Sequence, residues 1–320
     1  RVYHDPDLHS SILSWRVLNW WGCDVSDNSG YLYRAIPTGS RRLLQSLLLW
    51  PTRREWISAS KMDKASLDCF LRSVKAKKVT YLVGYVGAIE AFASFLEERE
   101  ERLDGLLAVW TTAAPLPPAT RKTLERIFKC PVYTQYGSCE INWIAAECNR
   151  QSGMHFFSDV RHVEVIEGSC PLAVGTYGDL VITDLINKKF PLIRYRLGDR
   201  GRILNQRCAC GSPFPLLDYV KGRISDAIHT RENGVIPGEY WTTIFDDFTD
   251  YIRSFQVYQS KDLSITIYFV PNHNTDHSYA IETVRSRLKK IIGSGVSLNF
   301  AQVSAIDHDA GKVRFVVSDV

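Results

Sequence analysis

Between Val79 and Tyr136 the chain alternates short apolar runs with helix-like stretches, and this alternation restricts the fold more than any other feature. Val79 to Tyr85, Leu106 to Thr112 and Pro131 to Tyr136 have the composition of buried strands, the last ending at Gly137. Ala88 to Arg99 and Ala119 to Phe128 carry helical patterns between them. Strands separated by single helices predict an α/β layer arrangement with a largely parallel sheet. Ligands of such sheets sit beyond the carboxyl ends of the strands, where these turns lie. Upstream, Asp5-Pro6-Asp7 reads as a capped helix start, followed by an apolar helix over 8–21 that stops at Gly22. Its tryptophans Trp15, Trp20 and Trp21 are expected in the core, and Lys64 to Val74 reads as another helix.

From Val160 the texture changes to short strands: Val163 to Ile166, Asp179 to Thr183 and Ile193 to Arg196. Beyond Gly222-Arg223 it changes again, to strands over Ile252 to Tyr258, Ile265 to Val270 and Val296 to Val303, with a helix from Ser278 to Ile292. That last part is a small α+β module of about a hundred residues. The expected division is a core over 1–222 and a mobile module over 223–320. A length of 320 residues is enough for two cores. The net charge of +4 is scattered rather than clustered, so neither nucleic acid nor a membrane surface is expected as a partner. The longest apolar run, Leu43 to Trp50, is broken by Gln45 and Ser46 and falls short of the roughly 18 residues of a bilayer span. Eight cysteines spread over this length imply reduced thiols and a cytoplasmic location rather than a disulfide scaffold. The chain opens on Arg1 without an initiator Met, so upstream residues are expected to have been removed or left out.

Four polar clusters carry the chemistry. In Tyr136-Gly137-Ser138-Cys139-Glu140, the tyrosine at a strand end is suited to stack on a flat base, and Gly137 lets backbone approach a phosphate. Ser138 offers a hydroxyl and an amide to an oxyanion, and Glu140 a carboxylate for Mg²⁺ beside a triphosphate. A strand-to-helix turn capped by Ser138 explains the same residues. Asn187 to Arg200 reads as strand, turn and a Gly198-Asp199 pair that presents a carboxylate from a tight bend. Such a carboxylate accepts both hydroxyl hydrogens of a ribose; a surface ion pair with Arg196 or Arg200 is the alternative. Arg223, after Gly222, suits a ribose or phosphate contact where the two parts join, and otherwise is a solvated loop arginine. Lys312, in Asp309-Ala310-Gly311-Lys312, is placed to enter the site on a moving module and neutralise charge developing at an α-phosphate.

The cysteines give a separate signal. Cys148 and His155 stand close in sequence and Cys208 and Cys210 follow far downstream. Three thiolates and one imidazole form a closed tetrahedral zinc set, structural because no position is left for water. Free buried cysteines with a capping histidine are the alternative. The remaining histidines show no ligand spacing, and no histidine near Cys139 supports a nucleophilic thiol.

Taken together, Tyr136 to Glu140, Arg194-Tyr195-Arg196-Leu197-Gly198-Asp199 and Gly222-Arg223 with Asp226 resemble the signature motifs of the adenylate-forming superfamily, which includes acyl-CoA synthetases. The surrounding text is most similar to its phenylacetate–CoA ligase and CapK-like branch, including Ala145-Ala146-Glu147-Cys148 and Cys208-Ala209-Cys210-Gly211. The resemblance implies the adenylate-forming α/β fold, incomplete at its N-terminus, with the small α+β domain after it. It implies ATP-dependent activation of a small aromatic or hydrophobic carboxylic acid as its adenylate, followed by transfer to CoA. An amine or carrier-protein thiol is the rival acceptor, and a catalytically impaired AMP-binding scaffold is the rival of another class. A zinc-dependent oxidoreductase or hydrolase would need an open metal site, which four protein ligands do not leave. By the same resemblance Ala113, Ala114 and Pro115 line the adenine and Tyr136 stacks on it. Gly137, Ser138 and Cys139 face the α-phosphate, and Glu140 binds Mg²⁺. Asp199 holds the ribose, Arg223 lies by the hinge and Lys312 serves adenylation. The recurrence of such a cysteine–histidine cluster in the branch favours zinc. Residues around Gly84-Tyr85 and Trp110-Thr111-Thr112 are expected near the acyl group. Two departures stand out. Cys139 occupies a position where many relatives carry Thr, and neither Asn28-Ser29-Gly30 nor Thr38-Gly39-Ser40 resembles the phosphate loop, which is expected upstream of Arg1. An oligomer is compatible with all of this.

Overall fold

In the computed structural model the alternating segment builds a sheet whose strands run side by side in one direction. The structure describes residues 8–33, 36–59, 61–138, 140–220, 228–230, 234–236, 241, 244–272, 275–293, 295–306 and 315–320. Five parallel strands form the centre: β1 (Ser29–Tyr33), β2 (Arg54–Ser58), β3 (Tyr81–Tyr85), β4 (Ala108–Thr112) and β5 (Val132–Tyr136). Short antiparallel strands extend it beyond β5: β6 (Ala145–Glu147), β7 (Met154–Phe156), β12 (Ile203–Leu204) and β13 (Leu216–Leu217). The order across this sheet is β12-β13-β7-β6-β5-β4-β3-β1-β2.

Helices α3 (Lys64–Ala76), α4 (Val86–Glu98) and α5 (Pro118–Phe128) make the crossovers that parallel pairing requires. The Asp63 carboxylate accepts the Ser66 amide and starts α3, and Lys129 in the left-handed region ends α5. Leu67, Phe70, Phe92, Leu96, Leu124 and Phe128 pack beneath β1, β3 and β4 in the largest core. Helix α1 (Leu8–Trp20) covers the opposite face, where Trp21 stacks on Tyr133 and Trp110 packs on Trp143. Trp21 is buried as expected, Trp20 is half-buried against that core, and Trp15 is 56% exposed because it falls on the solvent side of α1. The strands β1 and β2 and the helix α2 (Gly39–Leu48) are additional to the elements expected from the sequence. Gly30 and Gly39, which lie in β1 and at the start of α2, are thus element residues.

A second, antiparallel sheet contains β8 (Arg161–Glu167), β9 (Cys170–Pro171), β10 (Gly178–Asp184) and β11 (Tyr195–Gly201), in the order β11-β10-β8-β9. The C-terminal part has a hairpin, β14 (Ile228–Thr230) with β15 (Gly234–Ile236). It also has a four-stranded sheet formed by β16 (Ile252–Gln259), β17 (Ile265–Pro271), β18 (Leu298–Gln302) and β19 (Val316–Ser318). Helix α6 (Ser278–Ile292) buries Ala280, Val284, Leu288 and Ile292 against that sheet. The expected elements of this module are present, with strand ends moved by a residue or two. Its core also takes in Val86 and packs on Ala114 and Leu116 of the larger part, so the two apolar cores touch.

Candidate active site

Strand β5 delivers Tyr136 to the carboxyl end of the parallel sheet, and β11 delivers Asp199 to meet it. The Tyr136 hydroxyl donates to Asp199 Oδ2 at 2.8 Å across 63 residues of sequence. Asp199 does not sit in the tight bend expected of it. Strand β11 runs through Tyr195–Gly201, and its register against β10 jumps from Val181↔Arg196 to Asp179↔Arg200. Three residues therefore oppose Leu180 alone, and Gly198 at φ +79° absorbs the extra length. The carboxylate is presented by a β-bulge, a device that re-aims one side chain without ending the strand. Arg196 and Arg200, the alternative ion-pair partners, approach Asp179 on β10 at 3.9 and 3.8 Å.

The base of β11 is anchored by a buried ion pair. Arg161 NH1 donates to Asp184 Oδ1 at 2.7 Å, and the same oxygen accepts the amides of Ile186 and Asn187. The Asn187 side-chain oxygen in turn accepts the Phe190 amide. Each buried charge thus has a partner, without which its desolvation would be strongly unfavourable.

After Tyr136 the chain turns back on itself. The Ser138 hydroxyl oxygen accepts the amides of Glu140 and Ile141 at 3.2 and 3.0 Å, and the Ser138 amide donates to the Ile141 carbonyl at 2.9 Å. Ser138 therefore closes the turn: its amide is committed to Ile141, and its hydroxyl hydrogen is the group left to meet an anion. A Cβ on Gly137 would lie 2.8 Å from Gln135 Nε2 and 3.0 Å from the Trp143 amide nitrogen, so a side chain there would press on both. Glu140 is half-buried on this turn. Ala113, at φ +71°, leads out of β4 into Ala114 and Pro115, on the parallel strand next to β5. Thr112 donates to the Gln135 side chain at 2.9 Å and Gln135 donates to the Tyr136 carbonyl, tying the two strand ends together. Cys139, Arg223 and Lys312 lie outside the described residues, as do Gly222, Ser225 and Asp226.

Cys148, His155, Cys208 and Cys210 converge, with all four donor atoms within 4.8 Å of one another. Cys148 follows β6, His155 lies on β7, and both remaining cysteines belong to the loop between β12 and β13. The Cys148–Cys208 sulfur separation is 3.6 Å, and Cys210 Sγ lies 3.2 Å from His155 Nε2. Edges of a tetrahedron with metal–sulfur bonds of about 2.3 Å and metal–nitrogen bonds of about 2.0 Å would span roughly 3.5 to 3.8 Å, so the residues present fit such a set. The Phe214 carbonyl accepts a hydrogen bond from His155 Nδ1–H at 2.7 Å, which leaves the Nε2 lone pair facing the sulfurs and able to ligate a metal. Backbone amides of Arg150 and Ser212 donate to Cys148 and Cys210 at 3.4 Å each, as they would to thiolates. Burial pushes the Cys148 thiol up, to about 12. Burial also acts to raise Cys208, but hydrogen bonds from Ser152, Cys210 and Cys148 prevail and bring it down to about 6.

Sequence reasoning missed Glu147. It is fully buried, accepts both Arg121 guanidinium nitrogens at 2.8 and 3.1 Å, and takes the Thr134 amide at 2.7 Å and the Tyr219 hydroxyl. This fork joins α5, β5 and β6 to the residue just before the chain leaves the sheet. The one signal for it in the sequence was a carboxylate inside the apolar Ile144-Ala145-Ala146 run.

A largely parallel sheet with paired side chains at its carboxyl edge, followed by a small α+β module, defines a two-part α/β fold. Comparison with known proteins makes that more specific. Residues 228–319 match the CapK C-terminal domain. The chain is 23% identical over 275 residues to protein CapK of Staphylococcus aureus, covering 84% of this chain and 60% of that one. It is 25% identical over 244 residues to the phenylacetate-coenzyme A ligase of Escherichia coli (strain K12), covering 68% and 54%. It therefore spans little more than half the length of these curated relatives. A 2-hydroxyisobutyryl-CoA ligase in its postadenylation state, with a bound adenylate, superposes with a TM-score of 0.75 at 17% identity, over 97% of this chain and 69% of that one. The same ligase in its thioesterification state gives 0.58 at 18% identity over the same shares. The chain has the fold of these CoA ligases, and its C-terminal module matches the CapK C-terminal domain. Among the described residues no helix is long and apolar enough to cross a membrane.

Proposed function

We propose that this chain contributes to an ATP-dependent ligase that activates a small carboxylic acid as its acyl-adenylate and passes the acyl group to CoA. The Tyr136–Asp199 hydrogen bond at the carboxyl edge of the parallel strands carries this reading. It holds a carboxylate ready to accept ribose hydroxyls beside a ring suited to the base. Ala113, Ala114 and Pro115 line the other side of the adenine, and Gly137, Ser138 and Cys139 face the α-phosphate. In the first step the acid's carboxylate oxygen attacks the α-phosphorus of ATP, the bond to the β-phosphate oxygen breaks, and pyrophosphate leaves. Lys312 neutralises the charge developing there. In the second step the CoA sulfur attacks the acyl carbon, AMP leaves with the bonding electrons, and the thiol proton passes to solvent.

Glu140 would hold Mg²⁺, which supplies charge neutralisation at the triphosphate. Cys148, His155, Cys208 and Cys210 would hold a structural zinc ion, and the four-donor geometry supports that assignment. Arg223 marks the hinge between a core over 1–222 and a C-terminal module over 223–320, and both steps take place in the cytoplasm. The ring of Tyr85 at the end of β3 favours an aromatic or apolar acid, whereas Trp110 lies mid-strand in β4 and packs on Trp21 and Trp143. The test is acid-dependent ATP–pyrophosphate exchange across an acid panel, using the full-length protein, followed by thioester formation with CoA. Absence of exchange with every acid overturns the ligase reading and leaves an AMP-binding scaffold, which AMP titration would detect.

A further inference from the structure

The C-terminal module is seated on α4 and α5 through one side chain in particular. Arg253, the second residue of β16, extends its guanidinium between Glu97 and Ser94 on α4. NH1 lies 3.4 Å from Glu97 Oε2, and NH2 donates to Ser94 Oγ. The pair is largely sheltered, with Arg253 and Glu97 side chains 15% and 24% exposed. Glu97 is itself fixed by Arg126 of α5 at 2.6 Å, so it approaches Arg253 with its position already set. The Arg253 carbonyl accepts the hydroxyl of Thr120, a residue 3% exposed at the start of α5. Lys122, further along α5, donates to Thr249 at 3.0 Å. Apolar contact of Ala114, Leu116 and Val86 with the module's core completes the seat.

This seat belongs to one arrangement of the two parts. The 2-hydroxyisobutyryl-CoA ligase superposes far better in its postadenylation form than in its thioesterification form. Two forms of one protein share a sequence, so the difference is one of conformation, and this chain matches the postadenylation one better. Apolar contact tolerates sliding, whereas a guanidinium inserted between a carboxylate and a hydroxyl fixes position and orientation together. We propose that Arg253 is a positioning residue: held by Glu97 and Ser94, it sets the balance between the module arrangement seen here and the one that serves the second step. It touches no reacting atom.

The effect on turnover rests on the ligase reading; the arrangement itself does not. Arg253→Glu places two carboxylates together and is expected to raise amide hydrogen exchange in 90–98 and 249–256 of the full-length protein. It should slow ATP–pyrophosphate exchange about fivefold, the loss expected of one partly sheltered ion pair, without slowing CoA-dependent consumption of presynthesised acyl-adenylate. Arg253→Lys keeps the charge and is expected to restore most of both. A purely structural role would lower both half-reactions alike, and that outcome overturns the proposal, as does unchanged hydrogen exchange in both segments. If Arg253→Glu does not fold, Glu97→Gln carries the same test. If the wild type shows no pyrophosphate exchange at all, the ligase reading fails while hydrogen exchange still decides the role of Arg253.

Discussion

At the scale of single residues the site depends on side chains whose partners restrict them to one geometry. Tyr136→Phe keeps the ring and removes the hydroxyl that steadies Asp199. It is expected to weaken AMP binding by about 1 to 2 kcal/mol, the net value of a hydrogen bond to a charged group. Isothermal titration of the variant measures this directly; unchanged affinity would mean that Asp199 is held by other partners or does not meet the ribose. Lys312→Ala is expected to abolish adenylation while leaving AMP affinity nearly unaltered, and rapid-quench detection of the adenylate separates the two. Tyr136, Ser138 and Asp199 were legible in the sequence because strand ends and glycine turns mark themselves locally. The bulge at Gly198 was not, because a bulge exists only relative to a partner strand.

At the scale of elements, one carboxylate ties β2 to α3. Glu55 accepts Arg42 at 2.7 Å and is also held by Lys77 and Ser73. Burial alone would raise this carboxyl, but the hydrogen bonds from Lys77, Ser73 and the Trp56 amide outweigh it and hold it below its ordinary 4.5. Its folded value therefore lies under its unfolded one. The stabilisation is complete above the unfolded pKa and is lost as pH falls through the folded pKa. Thermal melts of the wild type should lose stability over that acid range more steeply than melts of Glu55→Gln, which lacks the titrating group. Equal slopes in the two proteins would refute the assignment. Asp63 offers a simpler case: Asp63→Ala removes the cap of α3 and should cost about 1 kcal/mol in chemical denaturation. The helix was readable from spacing but its Asp63 cap was not singled out, and β1, α2 and β2 became recognisable only once β3 was in place to pair with β1.

At the scale of the whole molecule, the cysteine–histidine cluster and the Glu147 fork join the carboxyl edge of the sheet to the strands that carry Asp199 onward. The expected content is one zinc per chain after chelator-free purification, read by elemental analysis. Stripping the metal should lower the melting temperature and should weaken AMP binding as well, since β12 and its loop follow directly from β11. A metal-free protein with unaltered melting would reduce the cluster to buried thiols beside a histidine. That these four residues form one set was readable in the sequence and the structure brings their donor atoms within 4.8 Å of one another, whereas their distances and their hydrogen bonds to the Phe214 carbonyl and the Arg150 and Ser212 amides were not.

The sequence alone determined what depends on near neighbours: the strand and helix alternation, the turns after β4 and β5, the change of texture into the C-terminal module, and the residue types suited to a nucleotide. Tertiary structure decided what depends on pairing between distant segments. It placed Asp199 on a bulge opposite β10, brought Tyr136 to its carboxylate, gathered three cysteines around His155, and set Arg253 against Glu97. The physical reason is range. Backbone propensity and side-chain periodicity act over a few residues and are written in order along the chain. The burial of charge and the register of strands are satisfied only when residues far apart in sequence meet.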